Sequence, residues 1–314
     1  MTPRSALPGI LCLLAGIAVF SLQDLILKRL SGEYPLHQAM VLRSLAAAPL
    51  LFALACATGG VRSLIAPGWP RMILRGFVSF AAYTGYYLAL PALPIATTVA
   101  LYFSAPLMIV VLSVVMLGER VSAARWLAVA IGFLGVLVIL RPDAAPIDLA
   151  AILAISSGMA YALSMILARL QGQFSAAALA FHGNLVFLAL ALGLSVLFGR
   201  GGWEVAGLHP SLSFLMRPWV TPPLTDLALM AGCGAIAALG LTLLNQAYRI
   251  APSASLAPFE YSALLWGLTW GWLVWGDWPD AVTWVGIAIL VAAGLAVLRP
   301  EARQRPDPSG QGVA

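Results

Sequence analysis

Two long stretches of this chain repeat each other without a gap. Residues 89–142 align with residues 247–300 at an offset of 158 positions, so that Pro94 meets Pro252 and both copies close on an Arg–Pro pair. Each copy reads as a Pro-containing entry, a long apolar segment, a turn of glycine followed by an acidic residue, and a second apolar segment. A repeat of this length indicates a fold assembled from two similar units.

The composition shows that these units have lipid as their solvent. Of the 314 residues, 61% are hydrophobic and 9% are charged, whereas a soluble domain has about 45–50% apolar and about 25% charged residues. The net charge of +5 comes from single basic residues scattered between apolar runs, a pattern that argues against a nucleic-acid partner. The three cysteines lie inside apolar runs and are interpreted as packing residues.

Ten segments are long and apolar enough for a spanning helix, which takes about 20 residues. In chain order they are Leu7–Leu30, Leu36–Thr58, Trp69–Leu90, Ile95–Leu117, Arg125–Leu140, Asp148–Arg169, Ser175–Phe198, Thr225–Tyr248, Ala254–Trp275 and Val282–Leu298. The first is too long for the core of a signal peptide and is expected to remain. The sequence therefore predicts an all-α polytopic membrane protein with ten transmembrane helices.

Five helices per repeat is an odd number, so the second half, residues 144–300, should enter the membrane with the opposite polarity to residues 1–143. Inverted repeats of this kind are typical of transporters, with a site near the midplane. If the N-terminus is cytoplasmic, the cytoplasmic ends hold 11 Lys and Arg residues and the outer ends hold 5. The positive-inside rule then predicts cytoplasmic termini in a bacterial inner membrane.

Two non-spanning stretches stand out. Residues 301–314 are rich in Arg, Pro, Gly and Gln, which is typical of a disordered cytoplasmic tail. The longest connection, residues 199–223, carries Trp203, Phe214 and Trp219 on the outer side. Aromatic residues favour the headgroup region, so this connection is predicted to rest on lipid, with a lid as the alternative.

The repeated motif resembles the EamA domain of the drug/metabolite transporter superfamily. The residues that carry the resemblance are Pro94-Ile-Ala, Ser104-Ala-Pro106, Leu117-Gly-Glu119-Arg120 and Gly132 with Gly135, and in the looser second copy Asp277 replaces Glu and Leu264 replaces Pro. The resemblance implies a bundle in which helices 1–4 and 6–9 line a central cavity while helices 5 and 10 lie at its edge. Within the superfamily the chain looks most like bacterial aromatic amino acid exporters, which implies alternating access.

Signatures of catalysis are missing from the sequence. It has no phosphate-binding Gly-rich loop with Lys, no paired-His metal helix and no nucleophile-elbow Ser. The chain is therefore predicted to be a transporter of amino acids or related metabolites, without enzyme activity, cofactor or metal. A different solute (a purine, a sugar derivative or a cationic drug) is the alternative, and a membrane enzyme or scaffold is a further rival.

Three charged residues inside the predicted helices suggest a charge network or gate. Ser21, Asp24 and Lys28 share one face of the first helix. This polar stripe either lines a cavity, or Asp24 and Lys28 neutralise each other near the outer interface, with the Lys28 ammonium extending towards it. Arg43, about seven residues into the second helix, needs a carboxylate, carbonyls or a substrate anion. A structural tie to Asp24 and a contact with a substrate carboxylate both remain open.

The predicted substrate site combines aromatic rings with a few polar side chains. Its members are Phe80, Tyr83, Tyr87, Tyr102, Tyr161, Ser164, His182, Asn245, Gln246 and Glu260. A wall of Tyr and Phe with amides nearby suits a small amphipathic solute that carries a ring. The opposing interpretation is packing for the aromatic stripe and a histidine satisfied within the bundle for His182.

Glu260 lies about six residues into the ninth predicted helix, with no basic residue one turn away in that helix. An intramembrane carboxylate is a functional-site hypothesis by default. Three roles remain open for it: a proton carrier, a ligand for a substrate amino group, or a partner of Arg249 or another arginine at the cytoplasmic end.

Overall fold

The computed structural model describes residues 7–65, 68–118, 122–140, 147–171, 174–203, 205, 207–251 and 259–297. Within these ranges the chain is helical and no strand occurs. The helices are α1 (Leu7–Leu30), α2 (Leu36–Gly59), α3 (Trp69–Ala89), α4 (Ile95–Tyr102), α5 (Ala105–Leu117), α6 (Ala123–Leu140), α7 (Leu149–Leu170), α8 (Ala176–Phe198), α9 (Pro210–Met216), α10 (Leu224–Ile250), α11 (Ser262–Trp270) and α12 (Ala281–Val297).

The observed helices reproduce the predicted spans. Six described segments are long and apolar enough to cross a membrane, and the shorter apolar helices Trp126–Leu140 and Ala281–Ala293 accompany them. With α3 and α11 they correspond to the ten predicted segments, which confirms the all-α polytopic fold. The predicted start of the ninth span, the predicted end of the tenth and the tail at 301–314 lie outside the described residues.

The fourth span is broken into α4 and α5 at Phe103 and Ser104. Pro106 explains the break, because proline has no N–H to donate and its ring clashes with the carbonyl four residues earlier, here that of Tyr102. The Tyr102 carbonyl instead approaches α7 at Gly158, where an added Cβ would lie 2.8 Å from that oxygen. A glycine at this position lets the broken helix pack closely against the second half of the chain.

The contacts between helices fall into matching pairs. α1 packs against α10, and its counterpart α7 packs against α3; α2 faces α8, and α6 faces α12. The glycine of each Gly–acidic turn has the same left-handed conformation, with φ of +67° at Gly118 and +70° at Gly276, which favours glycine. The predicted boundary between the halves, at residues 143–144, lies outside the described residues.

Candidate functional site

A cavity of about 120 Å³, here the central cavity, lies between helices of both halves. Its walls come from α1, α3, the α4–α5 break, α7, α10 and α11. Its lining residues are Leu13, Ile17, Phe20, Ser21, Asp24, Ala82, Tyr83, Tyr86, Tyr87, Ile95, Val99, Tyr102, Phe103, Ala105, Pro106, Tyr161, Leu244, Glu260, Ala263, Gly267 and Trp270. The cavity therefore lies between helices of both predicted repeats, and transporters built from inverted repeats bind substrate at such an interface.

Two carboxylates give the central cavity its charge. Asp24 accepts a hydrogen bond of 3.0 Å from the Tyr86 hydroxyl, and Glu260 lies within hydrogen-bonding reach of Tyr161. Neither Lys nor Arg occurs among the described lining residues. The cavity is therefore suited to a group that carries positive charge, such as a proton or an amino group.

The tyrosines around this cavity form a continuous chain of ring contacts. The ring of Tyr102 lies 5.3 Å from those of Tyr86 and Tyr161, and Tyr87 lies 5.5 Å from Tyr86. Gln23 holds the Tyr87 hydroxyl through a buried hydrogen bond. The rings thus offer apolar faces at the separations that favour aromatic pairs, while the hydroxyl groups of Tyr86 and Tyr161 lie near the two carboxylates.

A second, smaller cavity of about 60 Å³, here the basic cavity, adjoins the first. It shares Ala82, Tyr83, Tyr161 and Leu244 with the central cavity. Its other lining residues are Arg43, Arg75, Ser79, Ser164, Met165, Leu179, Ala180, Gly183, Phe187, Leu241, Asn245 and Tyr248. No carboxylate is among the described residues of this lining, so the two cavities carry opposite charge.

Arg43 is the most buried charge in the described chain, with 2% of its surface exposed. Its guanidinium lies 5.0 Å from the Phe187 ring and 5.9 Å from the Tyr83 ring, and its Nε and Nη1 have no hydrogen-bond partner. Each cation–π contact stabilises by about 0.5–2 kcal/mol, whereas burying one ion costs several kcal/mol. The rings alone therefore do not balance the cost of burying this charge.

The end of the central cavity towards the α1–α2 turn, which is the predicted outer side, is closed by side chains. The Trp270 indole donates to Ser21 Oγ at 3.1 Å. Lys28 donates to the carbonyls of Leu90 and Leu93 at 3.1 and 2.6 Å, with its ammonium 5.3 Å from the Trp275 ring. Lys28 therefore joins α1 to the turn between α3 and α4 rather than neutralising Asp24.

The long outer connection docks onto the α1–α2 turn above this closure. Gln38 donates to the Val220 carbonyl at 2.6 Å and accepts from its N–H at 3.0 Å, and Arg217 donates to the Ser31 carbonyl at 3.1 Å. Phe214 of α9 is 1% exposed. These contacts anchor the connection in the protein, and its predicted position on lipid stays a prediction.

One further contact at this end joins the α1–α2 turn to α10. The Tyr34 hydroxyl donates to Asp226 at 2.6 Å. That hydrogen bond, together with burial and nearby negative charge, raises the pKa of Tyr34 to about 12. The hydroxyl therefore stays protonated, and the contact persists, throughout the neutral pH range.

The structure brings most of the predicted site residues together. Tyr83, Tyr87, Tyr102, Tyr161, Asp24 and Glu260 line the central cavity, and Tyr83, Tyr161, Arg43, Ser164 and Asn245 line the basic cavity. The described residues show no ion pair between Arg43 and Asp24. The side chain of Arg249, a predicted partner of Glu260, lies outside what the structure describes.

The remaining predicted residues lie elsewhere. Phe80 packs edge-on against Phe187 with the ring centroids 5.3 Å apart, and Nδ1 of His182 lies 2.9 Å from the Ala178 carbonyl one turn back in its own helix. Neither residue, nor Gln246, is among the described residues that line the two cavities. These positions favour packing for Phe80 and an internally satisfied histidine for His182.

Sequence reasoning missed three members of the two cavities. Tyr86 holds Asp24, Trp270 closes the outer side, and Arg75 donates to the Ser164 carbonyl at 3.4 Å. Arg75 lies one turn after Arg71, near the start of its helix, and this spacing resembles an interfacial anchor. However, Arg75 also lies one turn before Ser79, on a helix with a face of tyrosines. That position in the sequence could have marked it as a site residue.

Comparison with known proteins agrees with this architecture. The riboflavin transporter of Rhizobium johnstonii is 28% identical over 76% of this chain and 73% of its own length, and the S-adenosylmethionine uptake transporter of Rickettsia prowazekii is 25% identical over 73% and 71%. The pseudopaline exporter CntI of Pseudomonas aeruginosa is 25% identical over 93% and 96%. A solved crystal structure superposes with a TM-score of 0.67 over 94% of this chain and 98% of that chain, at 18% identity, and shows the fold alone.

The fold, the cavity at the repeat interface and these relatives define a multi-pass membrane transporter of small metabolites. Residues 7–141 match the EamA-like transporter family. Its relatives are named as transporters, which confirms the prediction that the protein is not an enzyme. The named solutes differ among the relatives, so the prediction of aromatic amino acid export stays a prediction.

Proposed function

We propose that this protein exports amino acids, with aromatic ones favoured, or closely related metabolites across a bacterial inner membrane. The observation that carries the proposal is the central cavity: five tyrosines surround it, two carboxylates project into it, and both halves of the bundle line it. An aromatic ring would stack against the tyrosines, and the amino group would bind Asp24 and Glu260. Rocking of the halves would then expose this one site to each side in turn.

The closed outer side supports a cytoplasm-facing or occluded state of this cycle. Trp270 and Lys28 cover the outer end, and the excess of basic residues favours cytoplasmic termini. Reporter fusions test this orientation. A fusion after Leu298 should report a cytoplasmic location and one in residues 199–223 a periplasmic location; a periplasmic C-terminal fusion would overturn both the orientation and the count of ten spans.

An amphipathic organic cation is the second candidate solute. It is favoured by one observation, that the described lining of the central cavity holds two carboxylates and no basic residue. A cationic drug with a ring would place its charge at the two carboxylates and its ring against the tyrosines. It would have no group for the basic cavity to bind.

Export of labelled metabolites separates the candidates. Cells with and without the gene are loaded with labelled aromatic amino acids, aliphatic amino acids and aromatic cations, and the rate of efflux is followed. Faster efflux of aromatic amino acids is the expected result. Efflux of the cations alone would replace the proposed solute, and no difference for any solute would reject the proposal.

A further inference from the structure

We propose that the basic cavity binds a carboxylate of the transported solute, so that the solute spans both cavities as a zwitterion. This inference rests on the proposed function of the central cavity and adds a second binding site to it. The site consists of Arg43 and Arg75, with Ser79, Ser164 and Asn245 as uncharged polar neighbours.

Arg43 provides the main evidence for an anion. It is 98% buried, and its Nε and Nη1 lack any partner. Arginine keeps its charge under all physiological conditions and binds carboxylates through two parallel N–H groups. The charge is held over Phe187 and Tyr83, which fixes the guanidinium but leaves these two donors free for a ligand.

The surrounding residues fit a small anionic group. Arg75 reaches the same cavity from α3, and its Nε is only weakly engaged, at 3.4 Å from the Ser164 carbonyl. The volume of about 60 Å³ exceeds the roughly 10–15 Å³ that one water molecule needs, so a carboxylate group has room. Ser79 and Ser164 share a hydrogen bond of 2.7 Å and line the wall beside it.

The two cavities share walls, so one ligand could contact both. Tyr83 and Tyr161 line both cavities. The proposal places the amino group of a single solute beside these two rings at Asp24 and Glu260, and its carboxylate at Arg43 and Arg75. An amine without a carboxylate would leave the guanidinium donors unpaired, and an acid without an amine would leave the two carboxylates unpaired.

Matched analogues test the proposal on the full-length protein in nanodiscs. Dissociation constants are measured by calorimetry for L-phenylalanine, phenethylamine and 3-phenylpropionate. L-Phenylalanine should bind about tenfold or more tightly than phenethylamine, as expected for one charge-assisted contact. Arg43→Gln should remove this difference by weakening L-phenylalanine while leaving phenethylamine unchanged, and Arg75→Gln should reduce the difference.

The controls distinguish failure of the carboxylate site from failure of the proposed function. The exposed Arg200→Gln should change neither affinity. If wild type binds none of the three compounds, the proposed function fails. If it binds L-phenylalanine and phenethylamine equally, or if Arg43→Gln weakens both equally, only the carboxylate site is wrong.

Two further outcomes are decided in advance. If Arg43→Gln does not fold, Arg75→Gln decides alone, because an unchanged preference for L-phenylalanine in that variant would overturn the site. A free anion is the other source of the same chemistry. Inorganic phosphate that binds wild type without solute, and does not compete with L-phenylalanine, would replace the solute carboxylate by a resident anion and overturn the proposal.

Discussion

The central and basic cavities share four wall residues, yet they differ in charge, size and polarity. Asp24 and Glu260 make the larger cavity acidic, and Arg43 and Arg75 make the smaller one basic. Asp24 and Arg43 stay unpaired with each other, although both sit within the bundle. This separation fits the proposed zwitterion site, whereas a structural ion pair would join the two charges directly.

The comparison also shows how two similar halves produce a polarised site. An offset of 140 positions places Ser164 of α7 at the position of Asp24 in α1. Asp24 lies in the central cavity, whereas Ser164 lies in the basic one. Replacement of a carboxylate by a hydroxyl in one copy thus removes negative charge from the side where the arginines lie.

Removing the charge of Asp24 should have the largest effect on transport. Asp24→Asn keeps the shape and the contact with Tyr86 but removes the negative charge that attracts an amino group. Loss of a hydrogen bond to a charged group costs about 1.5–3 kcal/mol, so solute affinity should fall by about 10–100-fold. The measurement is counterflow of labelled amino acid in proteoliposomes.

Asp148→Asn is the matched control, because the exposed Asp148 lies outside the cavities, 3.2 Å from the half-buried His209. It should transport at the wild-type rate. Wild-type counterflow by Asp24→Asn would mean that the acidic character of the central cavity has no role in binding.

Glu260→Gln sharpens the comparison by separating two roles of the second carboxylate. If Glu260 carries protons, the variant should lose pH-dependent transport in proteoliposomes yet retain solute exchange. If Glu260 binds the amino group, exchange should fall as well, by about tenfold or more. Unchanged rates with unchanged pH dependence would remove Glu260 from the mechanism.

The aromatic wall should contribute less than the charges. Tyr102→Ala removes a ring that contacts Tyr86 and Tyr161. An aromatic contact contributes about 0.5–1.5 kcal/mol beyond its buried area, so affinity for an aromatic amino acid should fall by about 2–10-fold or more. Tyr102→Phe should retain most of it, and an aliphatic amino acid should be less affected.

Trp272→Ala is the control for ring loss outside the cavities, because this side chain is 59% exposed on the surface of the bundle. Its transport per folded molecule should equal that of wild type. Equal losses in both variants that follow protein abundance would show that Tyr102 serves packing alone.

How far the sequence predicts this molecule depends on the kind of residue. Apolar runs and the 158-residue repeat identified ten spans because both properties are local or strictly periodic. Helical spacing likewise placed Tyr83 and Tyr87 on one face of α3. Tyr86 was not predicted as a site residue, because its contact with Asp24 depends on how α1 and α3 pack. No pattern within either helix encodes that packing.

The outer connection shows the same limit for long-range contacts. The headgroup position was predicted from aromatic residues such as Trp203, which is 58% exposed. Gln38 and Val220 are 182 positions apart, and their paired hydrogen bonds arise only when α9 docks. The aromatic pattern of this connection therefore gave no indication of its contacts with the α1–α2 turn.

A change in the contacts of the outer connection should have the smallest effect. It tests whether closure of the outer end controls access to the central cavity. Gln38→Ala removes two hydrogen bonds to the Val220 backbone, of 2.6 and 3.0 Å. If opening breaks one of these bonds, at about 0.5–1.5 kcal/mol, the variant should raise the population of outward-open molecules by about 2–10-fold while leaving the fold intact.

The readout is the rate at which a membrane-impermeant thiol reagent labels Ala82→Cys from the outside, in a background without Cys12, Cys56 and Cys233. Ala82 lines the central cavity and is 3% exposed, so it should react only when the outer side opens. Gln38→Ala should increase this rate several-fold, and solute should change the rate further by selecting one state.

Thr58→Ala, at the other end of the same helix, loses only a bond to the Leu54 carbonyl and should label like the parent. If both variants label at the parental rate, the Gln38 contact holds the connection in place without controlling access, and the outer closure must depend on Trp270 and Lys28.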